Sequence, residues 1–372
     1  MPITVRPIKG ARELERFITL PLHLADRRPN QVPPLLADER ELHDPHRNLG
    51  SMDCEVTHWL AERDGRIVGR VMGIIHGSYN RRHEERTARF FQLDAVNDPA
   101  VVRALLDNVE RWARERGMDR VIGPYGFSDK DPQGFQVKGF EHLPVLATPT
   151  NAEHLPKATE ACGYRPLADA LSYRVDVPAQ VPATYDRIAD RVLRSGRFQV
   201  VDLRSKRDLR PWILPVLRLV NDTYGDLLGF APMSEAEMRK LAGQYMPVLD
   251  PALVKIVAEG LEPVAFVVAM PDMSEGLQRA KGRLFPFGWW HIMRAMKRSK
   301  QLDLFLGAVR KDLQGIGLTC VLGRELFHEG RARGMTHLDS HLVLESNTRM
   351  RAELERLGGV VWKRYRVYVK EL

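Results

Sequence analysis

Four residues near the C-terminal end of this 372-residue chain, Gln314-Gly315-Ile316-Gly317, stand between an apolar strand, Leu302 to Val309, and a helix. A helix entered through glycines leaves several backbone N–H groups unpaired, pointing one way, with the positive end of the helix dipole behind them. Such a turn can hold a phosphate or pyrophosphate, and a side chain at Gly315 or Gly317 would keep the anion off the backbone. Downstream, His337, Asp339, His341 and Glu345 alternate with Leu338, Leu342 and Leu344, which puts them on one face of a strand expected over Thr336 to Leu344. Groups of these types can accept or deliver a proton. His-x-Asp-x-His could also ligate a metal, but no cysteine or further ligand stands at familiar spacing, so none is expected.

The surrounding elements must place that loop and that face together. A basic turn, Arg310-Lys311, precedes the glycines, and Leu318, Val321, Leu322, Leu326 and Phe327 follow at helical spacing as far as Arg331-Ala-Arg-Gly334. Asn347-Thr348 opens another helix, closed by Leu357-Gly358-Gly359, and a last strand runs from Tyr365 to Val369. This run of about seventy residues resembles the acyl-CoA-binding core of the GNAT superfamily of N-acyltransferases. The resemblance implies that Gly315, Ile316, Gly317 and Leu318 offer backbone donors to the pyrophosphate, with Arg310 and Gln314 beside them. It also implies that Val309 carries a splayed strand toward the thioester and that Asn347 borders the splay. Acyl-CoA is then a co-substrate, and no permanently bound cofactor is expected.

Acyl transfer to an amine needs the neutral amine, and at a lysine-like pKa deprotonation costs about 4 to 5 kcal/mol at neutral pH. Glu345 or His341 is the expected acceptor of that proton. Two positions depart from the family: Asp312 replaces the Arg or Gln that commonly opens the pyrophosphate motif, and Leu354 replaces the tyrosine that often protonates the leaving thiolate. Tyr365 is the expected substitute for the latter.

The first half of the chain rehearses the second. Trp59 to Val71, with its Asp64-Gly65 turn, is echoed by Ile256 to Val267; Arg114-Glu-Arg-Gly-Met118 by Arg331-Ala-Arg-Gly-Met335; and Tyr173-Arg-Val-Asp-Val177 by Tyr365-Arg-Val-Tyr-Val369. Matches in one order, each offset by about two hundred residues, indicate a duplication. The expected fold is therefore mixed α/β with tandem GNAT-like domains. Residues 1–177 form a degenerate domain on the substrate side, and residues 178–372 an acyl-CoA-binding domain, joined near the Pro-rich Pro178 to Ala183. Where the second half has glycines, the first has Asp94 and Asp98, which would repel a phosphate, so only the C-terminal half is expected to bind CoA. The long loop from Gly123 to Phe140 follows a strand and is a candidate lining for the acceptor site.

A net charge of +8 points to an anionic partner. Three widely spaced cysteines read as buried, reduced thiols, and no uncharged apolar run approaches membrane-spanning length. A cytoplasmic protein is expected, peripheral on the inner face of the membrane if it meets one. The segment for such a meeting is the insert 277–300, where seven cations (Arg279, Lys281, Arg283, Arg294, Lys297, Arg298, Lys300) flank Phe285, Phe287, Trp289, Trp290, Met293 and other apolar residues. Rings settle at the headgroup boundary while cations meet anionic lipid.

Along nearly its whole length, including Gly282 to Trp289, the chain is similar to two-domain bacterial GNAT-like proteins, among them the bacterial ceramide synthases. That resemblance implies long-chain acyl transfer to a lipid amine. The alternatives are an acetyltransferase for a small-molecule or protein amine, an aminoacyl-tRNA-dependent transferase and a non-catalytic membrane-surface module; a nucleic-acid partner is the less favoured.

Overall fold

The computed structural model describes residues 2–24, 30–225, 227 and 229–372. In chain order they form β1 (Thr4–Pro7), α1 (Gly10–Thr19), α2 (Leu36–Leu42), β2 (Cys54–Arg63), β3 (Arg66–His76), α3 (Gly77–His83), β4 (Thr87–Ala95), α4 (Pro99–Glu115), β5 (Arg120–Gly123), β6 (Phe135–Lys138), α5 (His154–Ala161) and β7 (Arg165–Asp176). Then follow α6 (Ala183–Arg194), β8 (Gln199–Val200), α7 (Lys206–Tyr224), α8 (Glu235–Tyr245), β9 (Val254–Glu259), β10 (Glu262–Pro271), α9 (Ser274–Ala280), α10 (Gly288–Arg298), β11 (Gln301–Val309), α11 (Leu318–Ala332), β12 (His337–Asp339), β13 (Val343–Leu344), α12 (Thr348–Arg356) and β14 (Val360–Glu371).

The strands make one mixed sheet in the order β1-β2-β3-β4-β5-β14-β7-β12-β11-β10-β9-β8, with β6 beside β14 and β13 beside β7. Each half runs inward from its own first strand at an edge. At the centre the last strands change sides: β14 pairs with β5 of the first half, β7 with β12 of the second, and the two pair antiparallel with each other, Tyr173 opposite Val361 and Tyr365 opposite Ala170. The repeated Tyr-Arg-Val segments of the sequence are thus the two strands that tie the halves together. The fold is mixed α/β with two halves of like strand order, as expected.

Local chemistry explains the matching pieces. Asp64 and Gly65 both take positive φ, 55° and 70°, the backbone a two-residue hairpin turn needs. On α4, Val101, Leu105 and Val109 recur at helical spacing and are fully buried under the sheet. On α11, Leu318, Val321, Leu322, Leu326 and Phe327 pack the same way. The expected strand from Thr336 to Leu344 is interrupted. β12 stops at Asp339, whose Oδ1 accepts from the His341 N–H at 2.8 Å and turns the chain so that His341 has φ 58°. A side chain bonded to its own backbone two residues on competes with the ladder, and alternation of apolar residues cannot reveal it.

Candidate active site

In each half the fourth and fifth strands pair in parallel over three residues and then part. In the second half the pairs are Gln301 with His337, Leu302 with Leu338 and Asp303 with Asp339. Directly beyond, β11 carries an extra residue against β10, the register moving from Val268–Leu306 to Ala269–Leu304. Such a bulge bends its strand, and β11 turns away from β12. The opening leads to the turn at Gly315 (φ 86°) and Gly317 (φ 110°), where α11 begins without any side-chain cap. Its first N–H groups are thus left for a ligand. The first half lacks this: Asp98 caps α4 by accepting from Ala100 N–H at 2.9 Å and pairs with Arg63. A carboxylate already occupies the place an anion would take.

Around the glycine turn the side chains are engaged. The Arg310 guanidinium lies 2.8 Å from Asp312 and 3.1 Å from Glu259, so its charge is largely answered by carboxylates. Gln314 donates to the Val309 carbonyl at 3.3 Å and accepts from Arg349 at 2.7 Å. Arg349, on the first turn of α12, is an exposed cation at the loop that sequence reading passed over. Asn347 caps α12, accepting from Met350 N–H at 3.1 Å. Leu318 is buried, and Ile316 is partly buried against the α6–α11 core.

The apex of the opening holds buried charge. Lys363 Nζ lies 2.6 Å from Asp339 Oδ2, and both side chains are 0% exposed. Asp339 Oδ1 also accepts from Ser172 Oγ at 2.7 Å. Burial, with Asp272 and Asp339 close by, holds the Asp303 carboxyl well above the usual carboxylate range.

His341 and Tyr365 each meet one wall, the segment 145–151. His341 Nε2 meets the Leu146 carbonyl at 2.9 Å, and its ring stands edge-on to Phe305, centroids 5.8 Å apart. The carbonyl can only accept, so Nε2 carries the proton and Nδ1 the lone pair. Burial lowers the imidazole's pKa and keeps it neutral. Tyr365 is 1% exposed with burial raising its pKa, and Thr148 beside it. Glu345 sits apart from this pair: its carboxylate faces Arg364 at 3.2 Å near the exposed surface of the β7–β14 pair.

On the other side of that wall is a cavity of about 450 Å³. Leu146 and Thr148 line it, as do Phe127, Ser128, Asp131 and Phe135 from the long Gly123–Phe140 loop. Its roof comes from α2 and α8, including Asp38, Glu39, Leu241 and Tyr245. Tyr245 in turn packs tilted against Phe305, centroids 4.9 Å apart, which brings the cavity to the bulge of β11. Desolvation raises the carboxyls of Asp38, Glu39 and Asp131. Gln92, at the bulge of β4, donates to Glu39 at 2.8 Å and accepts from His43 at 2.9 Å. None of these α2 and α8 residues carries a sequence signal, because they reach the site only through tertiary packing from two hundred or more residues away in the case of α2.

The cavity also reaches the basic, aromatic insert. Leu35, Leu146 and Leu277 line it and also pack in the cluster with Met273, Ile292 and Leu284 at the base of α9 and α10. Among the described residues, no group of side chains could hold a metal ion and no helix is long and apolar enough to cross a membrane.

No family model matches the chain. Among curated proteins it is 31% identical over 378 residues to the bacterial ceramide synthase of Caulobacter vibrioides, covering all of this chain and 98% of the relative. It is 27% identical over 377 residues to protein YghO of Escherichia coli K12, covering 99% and 95%. Among solved structures, a tandem GNAT protein from the clavulanic acid biosynthesis pathway superposes with a TM-score of 0.51 at 13% identity, covering 100% of this chain and 98% of the other. A GCN5-related N-acetyltransferase from Sphaerobacter thermophilus gives 0.52 at 14%, covering 99% and 95%. Those last two likenesses bear on the fold alone.

Proposed function

Because this chain belongs to the bacterial ceramide synthase family and is an acyltransferase with tandem GNAT-like domains, we propose that it moves a long-chain acyl group from acyl-CoA to the amine of an amphipathic lipid. The division of labour proposed is CoA on residues 178–372 and the acceptor against residues 1–177. In support, the uncapped glycine turn is found in the second half, and the matching helix of the first half is capped by a carboxylate.

CoA enters along the gap between β11 and β12, its pyrophosphate on the N–H groups of Gly315, Ile316, Gly317 and Leu318. Arg349 stands by, and Arg310, Gln314 and Asn347 hold the turn and the helix behind it. Val309 and its strand carry the thioester toward the apex. The acceptor's chain lies in the cavity, where each buried methylene contributes about 0.8 kcal/mol, and the raised carboxyls of Asp38, Glu39 and Asp131 favour a cationic head.

The amine nitrogen attacks the thioester carbonyl and the bond to sulfur breaks. His341 Nδ1 takes the proton that leaves nitrogen, and the Tyr365 hydroxyl, kept neutral by burial, faces the departing thiolate. A thiol pKa near 8.5 makes that second assistance modest. Glu345, tied to Arg364, serves as the second proton acceptor, outside the wall. The insert 277–300 rests on an anionic membrane surface and passes lipid toward the cavity.

The observation that carries the lipid reading is the cavity itself, whose lining residue Leu146 meets His341 through its carbonyl and packs with Leu277 of the insert in one apolar cluster. The test is acyl transfer from acetyl-CoA and palmitoyl-CoA to a long-chain amino alcohol and to a short amine. Transfer of palmitoyl to the long amine is expected; sole use of acetyl-CoA, or transfer only to the short amine, overturns it.

A further inference from the structure

α9 and α10 form a tight helical hairpin that stands out from the sheet. Gly276 makes it possible: a Cβ there would lie 2.5 Å from the Ile292 Cα, so the two backbones touch. The tip of the hairpin is apolar and uncovered, with Phe285 79%, Phe287 69%, Trp289 50%, Trp290 46% and Met293 54% exposed. These are five of the nine large hydrophobic side chains exposed among the described residues, which makes the patch a contact surface rather than scatter.

Between the two helices lies a second crevice, of about 280 Å³, separate from the acceptor cavity. Arg279, Arg294, Arg298 and Lys300 line it, together with two carboxyls, Glu275 and Asp272, the latter raised by burial. Among the described residues only Arg279 of these four meets a carboxylate, Glu275 at 3.8 Å. Arg294 lies over the Trp290 ring at 5.3 Å, which couples the crevice to the aromatic tip. His291 also lines the crevice, and its Nδ1 is buried without a hydrogen-bond partner. A buried polar atom left unpaired is costly and marks a place where a partner belongs.

We propose that this crevice is a headgroup site, taking the phosphate of an anionic glycerophospholipid while the aromatic tip enters the bilayer interface. Arg294 and Arg298 are one turn apart on α10 and reach the same phosphate, and the His291 ring donates from Nδ1 to one of its oxygens. Charge, volume and the neighbouring rings fit such a lipid better than they fit RNA. Stacked bases need ring faces along a groove, and here the rings crown a protruding tip. The proposal deepens the membrane contact assigned to the insert, but it does not need the acceptor to be a lipid.

The test is co-sedimentation of the full chain with vesicles of phosphatidylcholine alone and of phosphatidylcholine mixed with phosphatidylglycerol. Binding to the anionic vesicles is expected, with about fivefold lost for each crevice cation removed in Arg294→Gln and Arg298→Gln. His291→Ala is expected to weaken binding as well. Lys297→Gln with Lys281→Gln removes equal charge outside the crevice and is expected to cost less. All but His291 are exposed side chains, and thermal melting of each variant checks the fold. Equal losses from the two pairs would reduce the crevice to diffuse charge and overturn the site. So would equal binding to both vesicle types, or displacement of the vesicles by an RNA oligonucleotide. Because vesicle binding is read without turnover, its failure and a failure of lipid acylation are distinguishable.

Discussion

Lys363 and Asp339 form an ion pair with no exposure to solvent, 2.6 Å between Nζ and Oδ2, at the point where β11 and β12 stop pairing. The pair joins the exchanged strand β14 to the short strand β12. It therefore ties the crossing at the sheet centre to the apex of the proposed thioester site.

Removing one partner leaves the other charged and buried. Lys363→Met is expected to cost about 3–5 kcal/mol, and Lys363→Met with Asp339→Leu to recover most of that loss. Urea unfolding of the wild type, the single and the double variant measures it. A single variant as stable as the double would show that the charge of Asp339 is not stranded.

The two loop glycines are expected to separate binding from folding. A Cβ on Gly315 meets nothing within 4 Å, whereas one on Gly317 would sit 2.3 Å from Ile188 Cγ2. Gly315→Glu should therefore keep the fold, apart from about 1–3 kcal/mol of backbone strain at φ 86°, yet abolish CoA binding. Gly317→Glu should lose both. Calorimetry beside thermal melting distinguishes these, and intact CoA affinity in a folded Gly315→Glu protein would remove the turn from the site.

One CoA is expected per chain. Asp98→Ala removes the carboxylate from the N-terminus of α4 and should cost about 1 kcal/mol without creating a second site. A stoichiometry of two, in either protein, would contradict the assignment of CoA to the second half.

Acidification is expected to weaken the first half. Burial lowers His43 to about 3 and His58 to about 4, and the rings share a hydrogen bond of 2.8 Å. Unfolded, both would protonate near pH 6.5. Between about pH 6.5 and 4 the unfolded state binds more protons, so stability present above that window is lost as pH falls. At pH 5 the cost should be about 2 kcal/mol for each histidine. The raised carboxyls of Asp38, Glu39 and Asp131 act in the opposite sense and offset part of it. Denaturant midpoints at pH 7 and pH 5 read the slope, which His43→Gln should flatten.

Filling the cavity should shorten the accepted chain. Leu241→Trp places an indole where α8 roofs the cavity, and each methylene excluded costs about 0.8 kcal/mol, or about fourfold in KM. A chain-length series of amines tests this; an unchanged preference would move the acceptor elsewhere.

The repeats, the glycine turn, the stripe on α11 and the tandem GNAT resemblance were legible in the sequence, because each rests on local periodicity or on a backbone that only certain residues adopt. Positive φ at Gly315 and Gly317 and the uncapped start of α11 follow from the residues at those positions. The tertiary structure decided which side chains meet. It folded Thr336 to Leu344 back on Asp339, set His341 against Leu146, and tied Arg310 to Glu259. It also brought α2 and α8 over a cavity whose walls are scattered from Val32 to Leu277. Periodicity reports which face of an element is buried, and long-range packing alone reports against what.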